Sequence, residues 1–297
     1  MWTEVPEPQW RARQILHQQR VDAWVQPLLD RRSRGIKHPV EDFLFTYYSF
    51  RPAALRRWHP GIGVAASGEG AYEVARVKGY VFADGLAFVD PAITAERRDR
   101  VSWIRNLLGA IASRPPLVGC FGLHEWAMVY QARDGELRHA ARRLRLGQAG
   151  TDEVVETHRI ACSHFDAFRF FTESARSLNV IQPNRAEQPR NEQPGCLHVA
   201  MDCYKWAYTL APFASAELVA DCFELAREVR QVDMRASPYD LSDLGVTPIR
   251  IETAAGKAEY VAAQRAFAQR SVDLRRRLIA VCDEALNPSP CPPLPEA

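Results

Sequence analysis

The sequence predicts a mainly helical (α+β) fold with one small β element. Apolar residues recur at the helical period over residues 7–34, over 91–113 and again from Lys257 onward. Only residues 80–89 carry a clear strand–turn–strand pattern. Between these stretches, Gly35, Pro39, Pro52 and Pro91 stand where helices end or begin.

The first helix is expected over residues 7–34, with Trp10, Ile15, Val21, Trp24, Leu28 and Leu29 at near-helical spacing and Gly35 as its stop. "HPVEDFLFTYYSF" opens a second, with Pro39 in its first turn and Glu41 and Asp42 where the helix dipole favours acids. Pro52 starts a short helix in "PAALRRW", closed by "HPGIG". In "ARVKGYVFADGLAFVD", Tyr80, Val81 and Phe82 and then Leu86, Phe88 and Val89 flank Ala-Asp-Gly, which signals a hairpin. A helix from Pro91 is stopped by "RPP" near residue 113. "CFGLHEWAMVYQ" reads as a buried helix, and basic "LRHAARRLRLG" as a helix with a solvated face.

"HRIACSHFDAFRFF", residues 158–171, admits two conformations. As a strand it puts His158, Ile160, Cys162, His164 and Asp166 on one face. Phe165, Phe168 and Phe171 fit a helix instead, so an extended piece is expected to pass into a helix near Ser163, a suitable N-cap. "QPNRAEQPRNEQPG" is polar, proline-rich and long for an unstructured connection, which makes it either mobile or functional. Helices follow in "CLHVAMDCYKWAYTL" and "SAELVADCFELAREVRQVDMR", then the looped "ASPYDLSDLGVTPIRIET" with room for one short strand. The last helix turns Tyr260, Phe267, Leu274, Leu278 and Val281 toward the core. Residues 1–286 are expected to form one globular domain, and 287–297 a disordered proline-rich tail.

The composition bounds the partners. At 297 residues, 47% hydrophobic and 25% charged, the chain can bury a sizeable core. A formal net charge of +2 gives no global attraction to nucleic acid, so any DNA-binding surface has to be a local patch. The seven cysteines are irregularly spaced and form no CxxC pair, which points to reduced thiols. No signal-peptide pattern and no apolar run of membrane-spanning length occurs, so a cytoplasmic protein with no membrane partner is expected.

Four stretches set histidines or carboxylates among aromatics: "HPVEDFLFTYY", "GLHEW", "HRIACSHFDAF" and "HVAMDCYKW". Their convergence would bring His124, Glu125, His158, His164, Asp166 and His198 around one cavity. His198 and Asp202, four apart on a helix, can chelate together, with His158 and His164 completing a metal set suited to iron or zinc. The bland alternative is a semi-buried His–Asp hydrogen bond. For acid–base catalysis the candidates are Glu125, beside His124 and Trp126, and Asp166, between Phe165 and Phe168. Apolar surroundings disfavour the carboxylate charge and raise its pKa, and His124, His158 and His164 are at hand to orient it or move protons. The alternative is that each carboxylate caps a helix or pairs with an arginine such as Arg159 or Arg169. Tyr47, Tyr48, Trp126 and Tyr204 are candidates for stacking on a planar substrate, although aromatics at helical spacing are more often core. No phosphate loop or GxSxG elbow occurs.

The stretches "RVDAW", "RRSRGIKHPVEDFLFTYYSFRPAALRRWHPG", "GLHEWAMVY", "HRIACSHFDAFRFF", "EQPGCLH", "MDCYKWAY" and "DMRASPYDL" together resemble an actinobacterial family commonly labelled 3-methyladenine DNA glycosylase. The resemblance runs from about residue 20 to residue 260. It implies hydrolysis of the N-glycosidic bond of an alkylated purine flipped out of DNA, with DNA as partner and no cofactor required. "PGIG" at residues 60–63 resembles the hairpin of helix–hairpin–helix enzymes. The catalytic aspartate expected downstream of it has no counterpart, so the resemblance assigns no catalytic residue. On this reading the phosphate contacts fall to Arg31, Arg32 and Arg34, to Arg56 and Arg57, and to Arg142, Arg143 and Arg145. Two other readings stay open: a His/carboxylate metal-dependent enzyme acting on a small molecule, and a non-catalytic helical binding protein whose histidines satisfy core hydrogen bonds.

Overall fold

The computed structural model describes residues 2–132 and 142–288. It is mainly helical with a small mixed sheet. The first part of the basic "LRHAARRLRLG" stretch and residues 289–297 of the expected tail lie outside the described residues. The chain divides into two compact units. One comprises Met1–Gly109, Asp202–Ala226 and Asp273–Ala297, and the other Ala110–Met201 and Arg227–Val272. No described helix is long and apolar enough to cross a membrane.

The first unit holds a four-stranded sheet of β1 (Thr3–Val5), β2 (Val64–Ser67), β3 (Tyr80–Ala83) and β4 (Leu86–Val89), in the order β1-β2-β4-β3. β1 runs parallel to β2, and β4 is antiparallel to both β2 and β3. The expected hairpin is present. Ala83 pairs with Leu86, leaving Asp84 and Gly85 as a two-residue turn with both φ angles positive (51° and 76°). Asp-Gly is suited to that turn because both residues tolerate the left-handed region. β1 and β2 carry no clear strand signal in the sequence. Each is three or four residues long, and alternation over so few positions is indistinct.

The first helix runs Glu7–Ser33. Its inward face is Trp10, His17, Val21, Val25 and Leu28, whereas Ile15 and Leu29 face solvent. His17 takes an inward position because its Nε2 meets the Leu55 carbonyl at 2.9 Å. Trp10 Nε1 donates to the Ser67 carbonyl (2.9 Å), tying this helix to the end of β2. Its ring stacks on Trp58 at 6.0 Å. The helix Pro91–Ala112 matches its expected span.

In the second unit, "GLHEW" forms the short helix Leu123–Ala127, all five residues buried. "HRIACSHFDAFRFF" is extended as far as His164 and then helical over Phe165–Phe168. His164 caps that helix in place of Ser163, its Nδ1 accepting from the Ala167 amide at 3.2 Å. The proline-rich "QPNRAEQPRNEQPG" is folded inward, with a helical turn at Gln188–Asn191 and Gln188, Glu192 and Gln193 buried. Gln193 supplies the reason. Its Oε1 accepts from the amides of Leu117 (2.8 Å) and Gly195 (2.7 Å), and its Nε2 donates to the Leu117 carbonyl (3.1 Å). A Cβ at Gly195 would lie 2.3 Å from the Leu117 carbonyl oxygen, so only glycine permits this approach. The helices Leu197–Thr209, Ala216–Arg235 and Ala254–Leu286 stand where expected. Tyr260, Phe267, Leu274 and Leu278 are buried, and Val281 is half-buried.

Burial of His59 has a measurable consequence. Desolvation, reinforced by the nearby positive groups His17 and Arg57, lowers its pKa to about 3. The unfolded chain takes up this proton near the ordinary histidine pKa, and the folded chain refuses it until much lower pH. Stability from this group is therefore complete above about pH 6.5 and is lost as pH falls toward 3. Replacing His59→Gln should flatten the fall of unfolding free energy between about pH 6 and pH 4 by about 1.4 kcal/mol per pH unit. Urea titrations at stepped pH measure this, and parallel curves for the two proteins would disprove it.

Candidate functional site

Three segments of the second unit bring titratable groups together. The helix Leu123–Ala127 carries His124 and Glu125, the first turn of Leu197–Thr209 carries His198, and the last turns of Ala216–Arg235 carry Arg230 and Asp233. Trp126 sets their register. Its indole, fully buried, donates from Nε1 to the Ala236 carbonyl at 2.8 Å, pinning the short helix against the end of the long one. The approach to His124 is tightly bent, with Phe121 (φ 48°) and Gly122 (φ 70°) both in the left-handed region. An aromatic residue is seldom found there, and the conformation persists only where its surroundings enforce it.

Arg230 joins two carboxylates. Its Nη1 lies 2.9 Å from Glu125 Oε1 and 2.9 Å from Asp233 Oδ2. All three side chains are buried. The other Asp233 oxygen, Oδ1, faces His124 Nε2 at 3.0 Å. Among the described residues neither atom makes a hydrogen bond of regular geometry, although both are shielded from solvent. They are close, but not aligned along an N–H direction. Burial alone would raise the Asp233 pKa. His124, through its positive character and its close polar contact with the carboxylate, then His198 and Arg230, outweigh burial and hold this carboxyl well below the usual carboxylate range.

His198 packs its ring edge-on against His124 at 4.4 Å. One ligating atom each from His124, His198 and Asp233 lies within 4.8 Å of the others. His164 stacks on the far face of this arrangement, 5.1 Å from His198 and nearly parallel. Because His164 Nδ1 accepts from Ala167, its Nε2 carries the proton, and it points toward Glu192 Oε1 at 3.5 Å. Glu192 is fully buried and also accepts from Gln188 Nε2 at 2.7 Å. A cavity of about 20 Å³ adjoins the cluster, lined by His124, His198, Cys120, Cys162 and Tyr260 among others.

Of the six residues expected around one cavity, His124, His164 and His198 do come together, and Glu125 joins them through Arg230. His158 does not line the cavity. Its Nδ1 lies 2.7 Å from the Val154 carbonyl, closing the end of the helix Gly147–Thr157. Asp166 does not line it either. It is buried between Arg185 (3.2 Å) and Arg169 (3.5 Å), so guanidinium charge meets it where a dry aromatic wall was expected. Asp202 belongs to the first unit, where it accepts from Tyr48 Oη (2.8 Å) and pairs with Lys205 (3.3 Å). The carboxylate that accompanies His198 is thus Asp233 in place of Asp202.

The aromatic candidates are engaged as well. Trp126 is a fully buried anchor, and Tyr48 and Tyr204 pack edge-to-face at 5.5 Å inside the first unit. Tyr47 stacks on Phe43 at 5.0 Å. In the arginine clusters, Arg31 pairs with Asp42, Arg56 with Asp22, Arg142 with Asp243 and Arg145 with Glu252, which spends charge that phosphate would need. Arg32, Arg34, Arg57 and Arg143 are exposed.

Sequence reading missed Arg230, Asp233 and Glu192. A signal existed for the first two. "REVRQVDM" places Arg230 and Asp233 three apart on the apolar face of an amphipathic helix, and charged residues there are rarely tolerated without partners. No known family, characterised protein or solved structure matches the chain.

The network makes Arg230 the costliest of these groups to remove. Arg230→Met leaves Glu125 and Asp233 as buried carboxylates without their shared cation, and should cost about 3–5 kcal/mol of unfolding free energy. Glu125→Gln keeps the Arg230–Asp233 pair and should cost clearly less. Equal losses in denaturant unfolding would show that Arg230 is not the common partner.

Proposed function

We propose that the second unit is the catalytic part of a divalent-metal-dependent enzyme acting on a small molecule, with His124, His198 and Asp233 as the metal ligands. The observation that carries this is the contact between His124 Nε2 and Asp233 Oδ1. They are two buried polar atoms 3.0 Å apart without a proper hydrogen bond, with His198 completing a set of three ligating atoms. Buried polar atoms are nearly always partnered, and a cation between them would satisfy both.

The donor set fits the chemistry. Two imidazoles and one carboxylate suit zinc in hydrolytic sites or ferrous iron in oxidative ones, and three protein ligands leave coordination positions open. A bound metal would supply Lewis acidity and lower the pKa of water at the site.

The chain's own groups hold that arrangement. Arg230 takes Asp233 Oδ2 and so leaves Oδ1 directed at the site. His164, locked in one tautomer, supports the His198 ring from behind. Outer partners of this kind orient metal ligands and tune their basicity.

Tag-free protein should carry about one equivalent of zinc or iron per chain by elemental analysis. His124→Ala, His198→Ala and Asp233→Asn should each lower metal affinity by more than the tenfold to hundredfold that even outer-shell losses produce. Wild-type protein that takes up no metal after incubation with either ion would overturn the reading. An abasic-site assay on methylated DNA, run on the same preparations, tests the glycosylase activity that the family resemblance implies.

A further inference from the structure

Tyr260 is fully buried, and among the described residues its Oη makes no hydrogen bond of regular geometry, its one polar neighbour of note being the thiol of Cys120. The side chain lines the same cavity of about 20 Å³ as His124 and His198. The other polar groups on its wall are largely committed. Gln193 is saturated by the backbone of Leu117 and Gly195. Cys162 Sγ contacts the His164 carbonyl at 3.8 Å. Cys120 Sγ, a weak acceptor beside the phenol, already receives Gln264 Nε2 at 3.2 Å.

A buried hydroxyl without a partner costs stability that phenylalanine, of nearly the same shape, would not incur. A tyrosine held this way at the edge of a ligand set is explained by something that occupies the cavity. The volume fixes the size of that occupant, since about 20 Å³ admits one water-sized group and little more. The phenol fixes its polarity. Burial, with the thiol of Cys120 and the charge of Asp233 adding to it, pushes the Tyr260 pKa well above its ordinary value, so the group stays protonated and acts as a donor.

We propose that Tyr260 donates a hydrogen bond from Oη to a single water-sized acceptor, an oxygen ligand in the working protein, held in the cavity beside His124 and His198. The inference rests on the metal-centre reading above. Tyr260 fixes the direction in which the acceptor's remaining lone pairs point, and a preorganised donor of this kind stabilises negative charge that gathers on that oxygen.

The test uses cobalt(II)-loaded full-length protein and fluoride, a single-atom anion that accepts hydrogen bonds strongly. Fluoride binding is read from the visible ligand-field bands of wild type and Tyr260→Phe. At equal cobalt occupancy, the variant should bind fluoride about tenfold more weakly or worse, the loss expected for a hydrogen bond to a charged acceptor. The metal-free variant should melt no lower than wild type, because within the fold the hydroxyl meets only the weak acceptor Cys120, which Gln264 already engages. Equal fluoride affinity in the two proteins, or a lower melting temperature for the variant, overturns the role of Tyr260 and leaves the metal centre standing. Wild-type protein that takes up cobalt but no fluoride overturns the ligand class. Wild-type protein that takes up no cobalt removes the metal reading, and this inference with it.

Discussion

Arg230 has a guanidinium almost closed off from solvent, with Nη1 at 2.9 Å from both Glu125 and Asp233. Burying one charge is expensive, and burying three is tolerable only when they face one another at hydrogen-bonding distance. That demand constrains everything near it. Glu125 must come from a helix short enough to turn into place, and Asp233 must stand one helical turn beyond Arg230. The arginine fixes only one oxygen of Asp233. The other remains directed at His124, so the same ion pair supplies one of the three groups that could hold a metal.

The backbone around this centre is organised by single polar side chains that serve several partners each. Gln193 takes both the donor and the acceptor of Leu117 together with the Gly195 amide. Gln264 joins Gly119, Cys120 and Gly195. These contacts close the irregular segments that lead into His124 and His198, where neither strand nor long helix supplies regular hydrogen bonds. Each buried amide still needs a partner, and here glutamine side chains provide it. The same logic explains why a proline-rich stretch with no apolar period is ordered: its polar residues bond inward.

Much of the fold was legible because its signals are local. Asp84-Gly85 between two apolar runs specifies a hairpin turn through φ alone, and the long helices announce themselves by period and by their stops. What failed was also physical. Ile15 and Leu29 have the right chemistry for a core but the wrong angle around their helix, and His17 takes the inward position by bonding a carbonyl. Ser163 has the better capping propensity, yet His164 caps the helix because its ring reaches the Ala167 amide.

The sequence by itself determined that histidines and carboxylates recur among aromatics, that most elements are helical, and that His124, His164 and His198 are of the right type for a shared site. Composition and period are properties of neighbouring residues, so they can be read along the chain. Which carboxylate meets which imidazole is a property of distant residues. Asp202 shares a helix with His198 but is claimed by Tyr48 and Lys205, while Asp233, thirty-five positions beyond His198, closes the set. Only the tertiary structure decides this. The favourable partner for a buried charge is whatever folding brings within about 3 Å, and no spacing rule along one helix can anticipate a contact made by a second.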